Sequence, residues 1–471
     1  MLNNYKSVYF IGIKGVGMTM LAQFMSQHGV KVQGSDIKET FMTDEVLQAS
    51  KIKVLEGFNR EHIKSLKDCD LIVYSSAYTE KNNIELKQVL EQKEIPVKSY
   101  AQALAEIFNN HKGLAVCGSH GKTTVSAWTA FALKQAKLSP QALIGARVPQ
   151  LKGSSLVGKS ELLIIEADEY QNKLQHFQPK AVILTNIDWD HHDYFTTFNK
   201  YLKAFSDFVK KIPASGFLIY NYDDLNCRKI AKQCQGEVIG FSINQKLKTK
   251  KNVWQLRKHD FEKGDQIFSL QYNDEIYKNF KIKLLGRHNL ANAISAIATG
   301  FQLGAKEELL KKGVFNFKGT ARRQEIMGRY RKALLIDDYG HHPTEIKSTL
   351  EGLRQKYEDN NLTVVFHPHT YTRTKALLSE FSRSFYLADK VLVVDIYGSA
   401  REEQGGISSY DLVKKIQAYN KKAKIKQEVL ASGNLKETTK YLANNLEPQE
   451  VAVLMGAGDV FRVGEALLNK E

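Results

Sequence analysis

One short stretch of the chain combines an apolar run, two glycines and the sequence Lys-Thr-Thr, which together suit phosphate binding. Residues 114–117 predict a strand, Gly118 and Gly121 bracket the turn after it, and Lys122 and Thr123 begin a helical pattern. The backbone amides of such a turn can surround phosphate oxygens, and the helix N-terminus adds partial positive charge. In phosphate loops the lysine reaches the outer phosphates and the hydroxyl holds Mg²⁺. We predict a nucleotide site in which Lys122 and Thr123 have these functions.

The spacing of this turn departs from the common phosphate-loop pattern. Val116 stands where G-x-x-x-x-G-K-[ST] has its first glycine. The alternative interpretation is an ordinary strand-to-helix turn that contains two glycines. Because Gly-Lys-Thr-Thr directly follows a buried-strand pattern, we favour the nucleotide site.

Ligand-type side chains follow two further aliphatic runs in the middle of the chain. Residues 162–165 and 181–184 read as strands buried on both faces of a parallel sheet, and Glu166 and His191 come after them. Carboxyl ends of parallel strands meet at one edge, so these side chains and Thr123 are expected around a cation. Taken singly, each is better explained as a cap, a surface acid or a hydrogen-bonded histidine. Their occurrence on successive strand ends favours a Mg²⁺–phosphate site.

The start of the chain has a strand, a glycine-rich turn, a helix and a second strand that ends in an acid. Gly12, Gly15 and Gly17 form the turn, and Asp36 ends the second strand. This layout is typical of one nucleotide-binding half of a doubly wound sheet. The spacing is G-x-x-G-x-G, so the turn alone is weak support for a dinucleotide.

These patterns predict an α/β protein of three domains, at residues 1–109, 110–318 and 319–471. The first and third are expected to be Rossmann-like, with helices between parallel strands. The central one is expected to be a mixed α/β domain of phosphate-loop ATPase type, with antiparallel ribbons at residues 238–279 and a helix at 291–303. In the third domain we predict strands and helices at 333–336, 343–357, 362–366, 374–386, 390–394, 409–418 and 451–455.

Composition limits the possible partners. The formal charge is +16, but lysines are spread along the chain and no nucleic-acid-binding motif accompanies them, so we expect no nucleic-acid partner. The four cysteines form no C-x-x-C pair, and no apolar run reaches the ~18 residues needed to span a bilayer. We expect a cytoplasmic protein without membrane insertion, as a monomer or homodimer.

The motifs, taken in their order along essentially the whole chain, resemble the Mur ligases of bacterial cell-wall synthesis. The resemblance rests on residues 12–18, 118–124, 166–169, 186–191, 288–292, 322–323, 337–345 and 455–459. It implies an N-terminal UDP-binding domain, a central ATP-binding domain and a C-terminal domain that closes over both.

The resemblance also implies functions for particular residues. The UDP-sugar is expected at Gly12, Gly15, Val16, Gly17, Met18, Asp36, Ser75 and Ser76. ATP is expected at Gly118, Ser119, His120, Gly121, Lys122, Thr123, Thr124, Asn289, Asn292, Arg323 and Asp338. Magnesium would be held by Thr123, Glu166 and His191, and catalysis would involve Lys122, Glu166, His191 and His342.

The motifs are most similar to those of family members that join L-alanine to UDP-N-acetylmuramate. In that reaction ATP phosphorylates the lactyl carboxylate, and the amine of the amino acid attacks the acyl phosphate. His342 is expected either to orient the amine and accept its proton or to bind the amino-acid carboxylate, which Arg373 would also hold. The chain has Thr370 where the motif often has arginine, and Tyr170-Gln171 where it often has Ser-Asp.

Three other functions fit parts of the sequence. A recycling ligase would add a whole tripeptide to the same sugar nucleotide. A nicotinamide oxidoreductase would use the N-terminal glycine-rich turn but would leave Lys122, Glu166 and His191 unexplained. A silent nucleotide-binding scaffold is disfavoured because the complete phosphate and metal set is present.

Overall fold

Three sheets follow one another along the chain in a computed structural model that describes residues 5–66, 68–191, 194–398 and 404–469. Each sheet is flanked by helices, so the predicted three-domain α/β architecture is confirmed. Among the residues described, no helix combines the length and the apolar composition that crossing a membrane requires.

The first sheet has five parallel strands in the order β3-β2-β1-β4-β5. Its centre is β1, whose sequence Val-Tyr-Phe-Ile is fully buried because helices cover both faces. Its elements are β1 (Ser7–Ile11), α1 (Val16–Gln27), β2 (Lys31–Asp36), α2 (Asp44–Ala49), β3 (Lys53–Glu56), α3 (Arg60–Lys64), β4 (Leu71–Tyr74), α4 (Ile84–Gln92), β5 (Val97–Ser99) and α5 (Tyr100–Asn109).

The second sheet has ten strands in the order β15-β14-β13-β12-β11-β10-β6-β9-β7-β8. Its first elements are β6 (Lys112–Cys117), α6 (Lys122–Gln135), β7 (Gln141–Val148), β8 (Gly153–Leu156), β9 (Leu162–Glu166), β10 (Ala181–Leu184) and α7 (Phe198–Val209). The others are β11 (Phe217–Asn221), α8 (Leu225–Ala231), β12 (Glu237–Ser242), β13 (Val253–Glu262), β14 (Asp265–Tyr272), β15 (Glu275–Ile282), α9 (Arg287–Gln302) and α10 (Glu307–Asn316). Short 3₁₀ helices lie at Pro149–Leu151 and Tyr170–His176.

The third sheet has six strands in the order β16-β17-β21-β18-β19-β20, and only β16 runs antiparallel to its neighbour. Its elements are β16 (Glu325–Tyr330), β17 (Ala333–Asp338), α11 (Pro343–Lys356), β18 (Leu362–Phe366), α12 (Tyr371–Ala376), α13 (Leu378–Phe381), β19 (Lys390–Val394), α14 (Ser409–Ala423), β20 (Glu428–Gly433), α15 (Leu435–Asn445), β21 (Val451–Met455) and α16 (Phe461–Leu468).

The structure differs from the sequence prediction at several elements. Strands β16 and β20 were missed, because both carry polar residues and lie at the edges of the sheet. The helix predicted at 374–386 is two short helices, α12 and α13, that meet at Leu377. Within 238–279, β13 to β15 are antiparallel as predicted, whereas β12 pairs in parallel with both its neighbours.

Helices α6, α9 and α10 form the packed layer that supports the phosphate-loop stretch. Trp128 of α6 is fully buried, stacks on Phe317 with ring centroids 5.0 Å apart, and donates its indole N–H to the carbonyl of Val314 at 3.1 Å. Leu310 of α10 lies against Gly300 of α9, where even a Cβ atom would be too close. Small residues on α9 therefore allow close helix packing beneath the site.

We predict that Leu310→Ala lowers the free energy of unfolding of the central domain by about 2–5 kcal/mol, because it leaves a cavity in this layer. Chemical denaturation of the purified chain measures the change. The matched control is Leu225→Ala in the same domain, because Leu225 is 64% exposed at the start of α8; its change should stay below about 0.5 kcal/mol. Equal losses in the two variants would contradict this account of the core.

Candidate active site

The predicted phosphate loop lies at the carboxyl edge of the central sheet, between β6 and α6. Gly118 and Gly121 adopt φ angles of +129° and +81°, and a Cβ at Gly118 would come within 2.2 Å of Thr185 Oγ1. The residues after β10 hold the loop: Asn186 accepts the amide N–H of Ser119 at 3.0 Å through its carbonyl, and that of His120 at 2.9 Å through its side chain. The loop is thus shaped by the neighbouring strand end.

Lys122, the first residue of α6, has a side chain that is 13% exposed and is paired with an acid. Its Nζ lies 2.9 Å from Oε2 of Glu169 and also donates to the carbonyls of Gly118 and Ser119 at 2.6 and 3.1 Å. Burial lowers the pKa of Lys122, but the acids Glu169, Asp168 and Glu166 together outweigh this and raise the pKa above its usual value. The lysine is therefore a fixed cation at the loop.

The residues predicted to hold a metal fall into two adjoining groups. Thr123 donates its hydroxyl to Glu166 at 2.8 Å, and Gly145 donates its amide to the same carboxylate at 2.9 Å. His191 lies apart from this pair, with Nε2 3.5 Å from Glu169 Oε1. Asp168, Glu169 and His191 place one ligand atom each within 4.8 Å of one another. Oxygen-rich groups of this kind suit a hard divalent cation.

A first cavity of about 580 Å³ lies between the central and third domains. Most of the residues predicted to bind ATP line it. These are His120, Gly121, Thr124, Asn289, Asn292, Arg323 and Asp338. The fold therefore brings predicted residues from three distant parts of the chain to one cavity.

A second cavity of about 490 Å³ is lined by all three domains. It contains the predicted residues Val16, Ser119, Lys122, Thr123, Glu166, His191 and Arg373. Gly121, Arg323 and Glu345 line both cavities and form their common wall. A group bound to Lys122 would therefore lie at the junction of the two cavities.

The N-terminal residues predicted to bind the UDP-sugar lie at the carboxyl ends of β1, β2 and β4. The side chain of Met18 packs in the hydrophobic core at 3% exposure and approaches Gly15 of the glycine-rich turn. Asp36 is a buried anchor, because it accepts the amide N–H groups of Lys14 and Ile37 at 2.7 and 2.8 Å. The other members of this set are Gly12, Gly15, Val16, Gly17, Ser75 and Ser76.

His342 lies at the start of α11 and lines neither of the two cavities. It is the N-cap of α11, where Nδ1 accepts the amide N–H of Thr344, and its side chain is only 5% exposed. Burial and the nearby charge of His120 lower its pKa to about 4. The adjacent His341 lines the second cavity instead. Two adjacent histidines at the start of α11 therefore differ in environment: His342 is the buried N-cap, and His341 faces the cavity.

Arg373 lies in the second cavity, where its guanidinium is 3.2 Å from Asp190 of the central domain. Burial opposes the charge on Asp190, but Arg373 and the neighbouring histidines together outweigh burial and hold the pKa of this carboxyl well below its usual range. Thr370 caps the short helix of Arg373 by accepting its amide N–H at 3.3 Å. The threonine that replaces the usual arginine thus orients the arginine that remains.

Sequence reasoning assigned no function to several acids that pair with the site's cations. Glu169, Asp190 and Glu345 are the partners of Lys122, Arg373 and Arg323. Each lies within a few residues of a predicted site residue, which was the only signal for it in the sequence. Glu169 and Glu345 pair with cations of their own domains, and Asp190 pairs with Arg373 of the third domain; sequence spacing gives none of these distances.

The fold and the site define a three-domain α/β nucleotide-binding enzyme. Residues 7–112 match the catalytic domain of the Mur ligase family, residues 116–300 match the Mur ligase middle domain, and residues 322–458 match the Mur ligase glutamate ligase domain.

Full-length relatives agree with these matches. The UDP-N-acetylmuramate–L-alanine ligase of Desulfitobacterium hafniense is 35% identical over 98% of this chain and 99% of its own, and that of Aquifex aeolicus is 34% identical over 99% and 98%. The crystal structure of UDP-N-acetylmuramate-alanine ligase from Thermotoga maritima has the same fold, with a TM-score of 0.81, 22% identity and 98% of both chains covered. The chain belongs to the Mur ligase family.

We predict that Gly118→Ala abolishes measurable ATP binding, because the new Cβ would strike Thr185 and Asn186 and displace the loop. Calorimetric titration with ATP measures binding. The control is Gly264→Ala in the turn between β13 and β14, which has a φ of +84° but open space around the Cβ position. It carries a similar backbone penalty of about 1–2 kcal/mol and should bind ATP normally. Normal binding by Gly118→Ala would contradict the assignment of the loop.

Proposed function

We propose that this enzyme is an ATP-dependent ligase that joins L-alanine to the lactyl carboxylate of UDP-N-acetylmuramate through an acyl phosphate, in the synthesis of peptidoglycan precursors. The observation that carries the proposal is the full-length similarity to enzymes with this name, at 34–35% identity. The proposal includes a cytoplasmic location, where these precursors and ATP would be available.

The arrangement of the two cavities supports this reaction. ATP in the first cavity would direct its outer phosphates to Lys122, at the wall shared with the second cavity. A carboxylate in the second cavity would then face the phosphoryl group that it must attack. Carboxylate and phosphate repel each other, and Lys122 and Arg323 supply positive charge at the point where they meet.

The donor set fits Mg²⁺. The side chains beside the phosphate loop offer mostly oxygen ligands; they are Thr123, Glu166, Asp168, Glu169 and His191. Bound Mg²⁺ would neutralise phosphate charge and polarise the transferred phosphoryl group. Burial raises the pKa of Glu166 above the usual value, despite the charge of Lys122 and the hydrogen bonds from Thr123 and Gly145. A nearby divalent cation would favour its ionised form.

The amine step would take place among the third-domain residues of the second cavity. His341, which lines this cavity, replaces His342 as the candidate that orients the amine or accepts its proton. Nδ1 of His341 lies 3.0 Å from the carbonyl of Tyr339, and the neutral ring can donate there while Nε2 remains an acceptor. Burial lowers the pKa of His341 to about 3, so the neutral ring is a weak base that suits orienting the amine better than accepting its proton. Arg373 would hold the carboxylate of the amino acid.

Phosphate release from ATP tests the proposal directly. The purified enzyme is mixed with ATP, Mg²⁺, UDP-N-acetylmuramate and one of L-alanine, glycine, L-serine or the cell-wall tripeptide. We expect release that depends on L-alanine and on the sugar nucleotide, with the amide product visible by mass spectrometry. Phosphate release with the tripeptide but with none of the three amino acids would assign the chain to the recycling reaction instead.

We predict that Lys122→Ala lowers kcat by at least about 100-fold, because it removes a preorganised charge from the transferring phosphoryl group. Binding of UDP-N-acetylmuramate, measured by calorimetry, should change little because the N-terminal domain is untouched. Lys112→Ala is the control, since Lys112 lies in the same domain with a side chain that is 74% exposed. Turnover by Lys122→Ala at the wild-type rate would refute the phosphate function of this lysine.

A further inference from the structure

Four side chains join the phosphate loop to the third domain; we call His120, Asp188, Thr344 and Glu345 the interdomain cluster. The hydroxyl of Thr344 donates to Oδ2 of Asp188 at 2.7 Å. Nε2 of His120 lies 3.2 Å from the same oxygen, and Nδ1 lies 3.4 Å from Oε1 of Glu345. Two residues from the central domain thus contact two from the third domain.

The geometry requires a charged histidine. Both ring nitrogens of His120 face carboxylate oxygens, and only the doubly protonated ring can donate to both. Burial lowers the pKa of His120, but the hydrogen bonds to Asp188 and Glu345 outweigh it and raise it to about 9. The pKa of Asp188 is held at about 2, because these bonds outweigh its burial. A cation in the phosphate loop therefore bridges an acid from each domain.

The position of the cluster relates it to the two cations of the phosphate site. His120 is two residues before Lys122, within the loop itself. Glu345, on the first turn of α11, also lies 3.4 Å from the guanidinium of Arg323. The contact between His120 and Glu345 consequently sets how far Arg323, from the third domain, lies from Lys122, from the central domain.

We propose that the interdomain cluster consists of positioning residues, which dock the third domain on the phosphate loop so that Lys122 and Arg323 converge on the same phosphoryl group. This inference rests on the proposed function for its consequence in catalysis, whereas the docking itself rests on the contacts alone. When the third domain moves away, His120 loses Glu345 and Asp188 loses Thr344. Docking of the third domain therefore also aligns Lys122 with Arg323.

A metal ion is a competing use of the same place, because His120, Asp188 and His342 bring three ligand atoms within 4.8 Å. The lone pair of His342 Nδ1 already accepts the amide N–H of Thr344 at 3.3 Å as a helix cap. His120 and Asp188 are likewise engaged with each other and with the third domain. The hydrogen-bonded assignment accounts for these contacts, whereas a metal bound through Nδ1 of His342 would have to break the cap.

A double-mutant cycle tests the coupling across the domain boundary. We expect Thr344→Val and Asp188→Ala each to lower kcat/KM by about tenfold or more, the value of a hydrogen bond to a charged group. In the Asp188→Ala background, Thr344→Val should have no further effect. Thr439→Val is the control, since Thr439 lies in the same domain and bonds only within its own helix. Additive losses in the double variant would overturn the proposal.

A measurement without turnover tests docking itself: small-angle X-ray scattering of the enzyme with a non-hydrolysable ATP analogue. Docking favours the protonated form of His120. The contribution of this histidine to docking is therefore fully present below about pH 6.5 and is lost as the pH rises through about 9. Asp188, Glu345 and the ring of His342 face His120, and Arg323 and His341 approach Glu345 from its other side. The two acids have lowered pKa values and stay ionised, and the pKa of His342 is lowered to about 4.

We expect the wild-type radius of gyration to be small at pH 7 and to increase between pH 8 and pH 10. His120→Gln should be expanded at both ends of that range, because a neutral amide cannot replace the bridging cation. A compact His120→Gln enzyme at pH 7 would overturn the proposal. If the wild type showed this transition but no phosphate release that depends on L-alanine, the proposed function would fail while the docking inference stood.

Discussion

The site depends on one constraint of parallel sheets: adjacent strands deliver their carboxyl ends to the same edge. Strand β6 lies between β9 and β10, and its Val116 pairs with Glu166 in register. The turn after β6 therefore has the acids of the β9 end on one side and Asn186 on the other. Loop, metal ligands and supporting amide are brought together by backbone pairing before any of their side chains interact.

The cations of the site are each paired with an acid. Lys122 with Glu169 and Arg373 with Asp190 both combine a buried side chain with a partner from another element or domain. A buried charge without a partner costs several kcal/mol, so such pairing permits the cations to remain largely removed from solvent. Phosphate and carboxylate groups of substrates would compete with these acids. Binding of substrate is thereby linked to rearrangement of the acids, and through Glu345 to docking of the third domain.

Much of this arrangement was predictable from the sequence, because it depends on local patterns. Aliphatic runs predicted the central strands, and the residues after them gave the candidate ligands. The order of the strands was not needed for this, because parallel strands deliver their carboxyl ends to the same edge of the sheet. Edge strands such as β16 and β20 have no such apolar signal. The pairing of His120 with Glu345 was likewise hidden, because it depends on how two domains meet. His342 was chosen over His341 because spacing alone does not reveal which residue caps the helix.

The unusual spacing of the loop has a physical explanation in its neighbours. Val116, at the position of the usual first glycine, is fully buried in β6, so the strand continues where other phosphate loops have begun to turn. Four residues remain to surround a phosphate, and they are held from outside: Asn186 supports one side, and Asn292 of α9 approaches Gly121 on the other. The conformation of so short a loop is set mainly by the residues that contact it. Its dependence on surrounding elements makes a third-domain contact at His120 an effective way to control the geometry at Lys122.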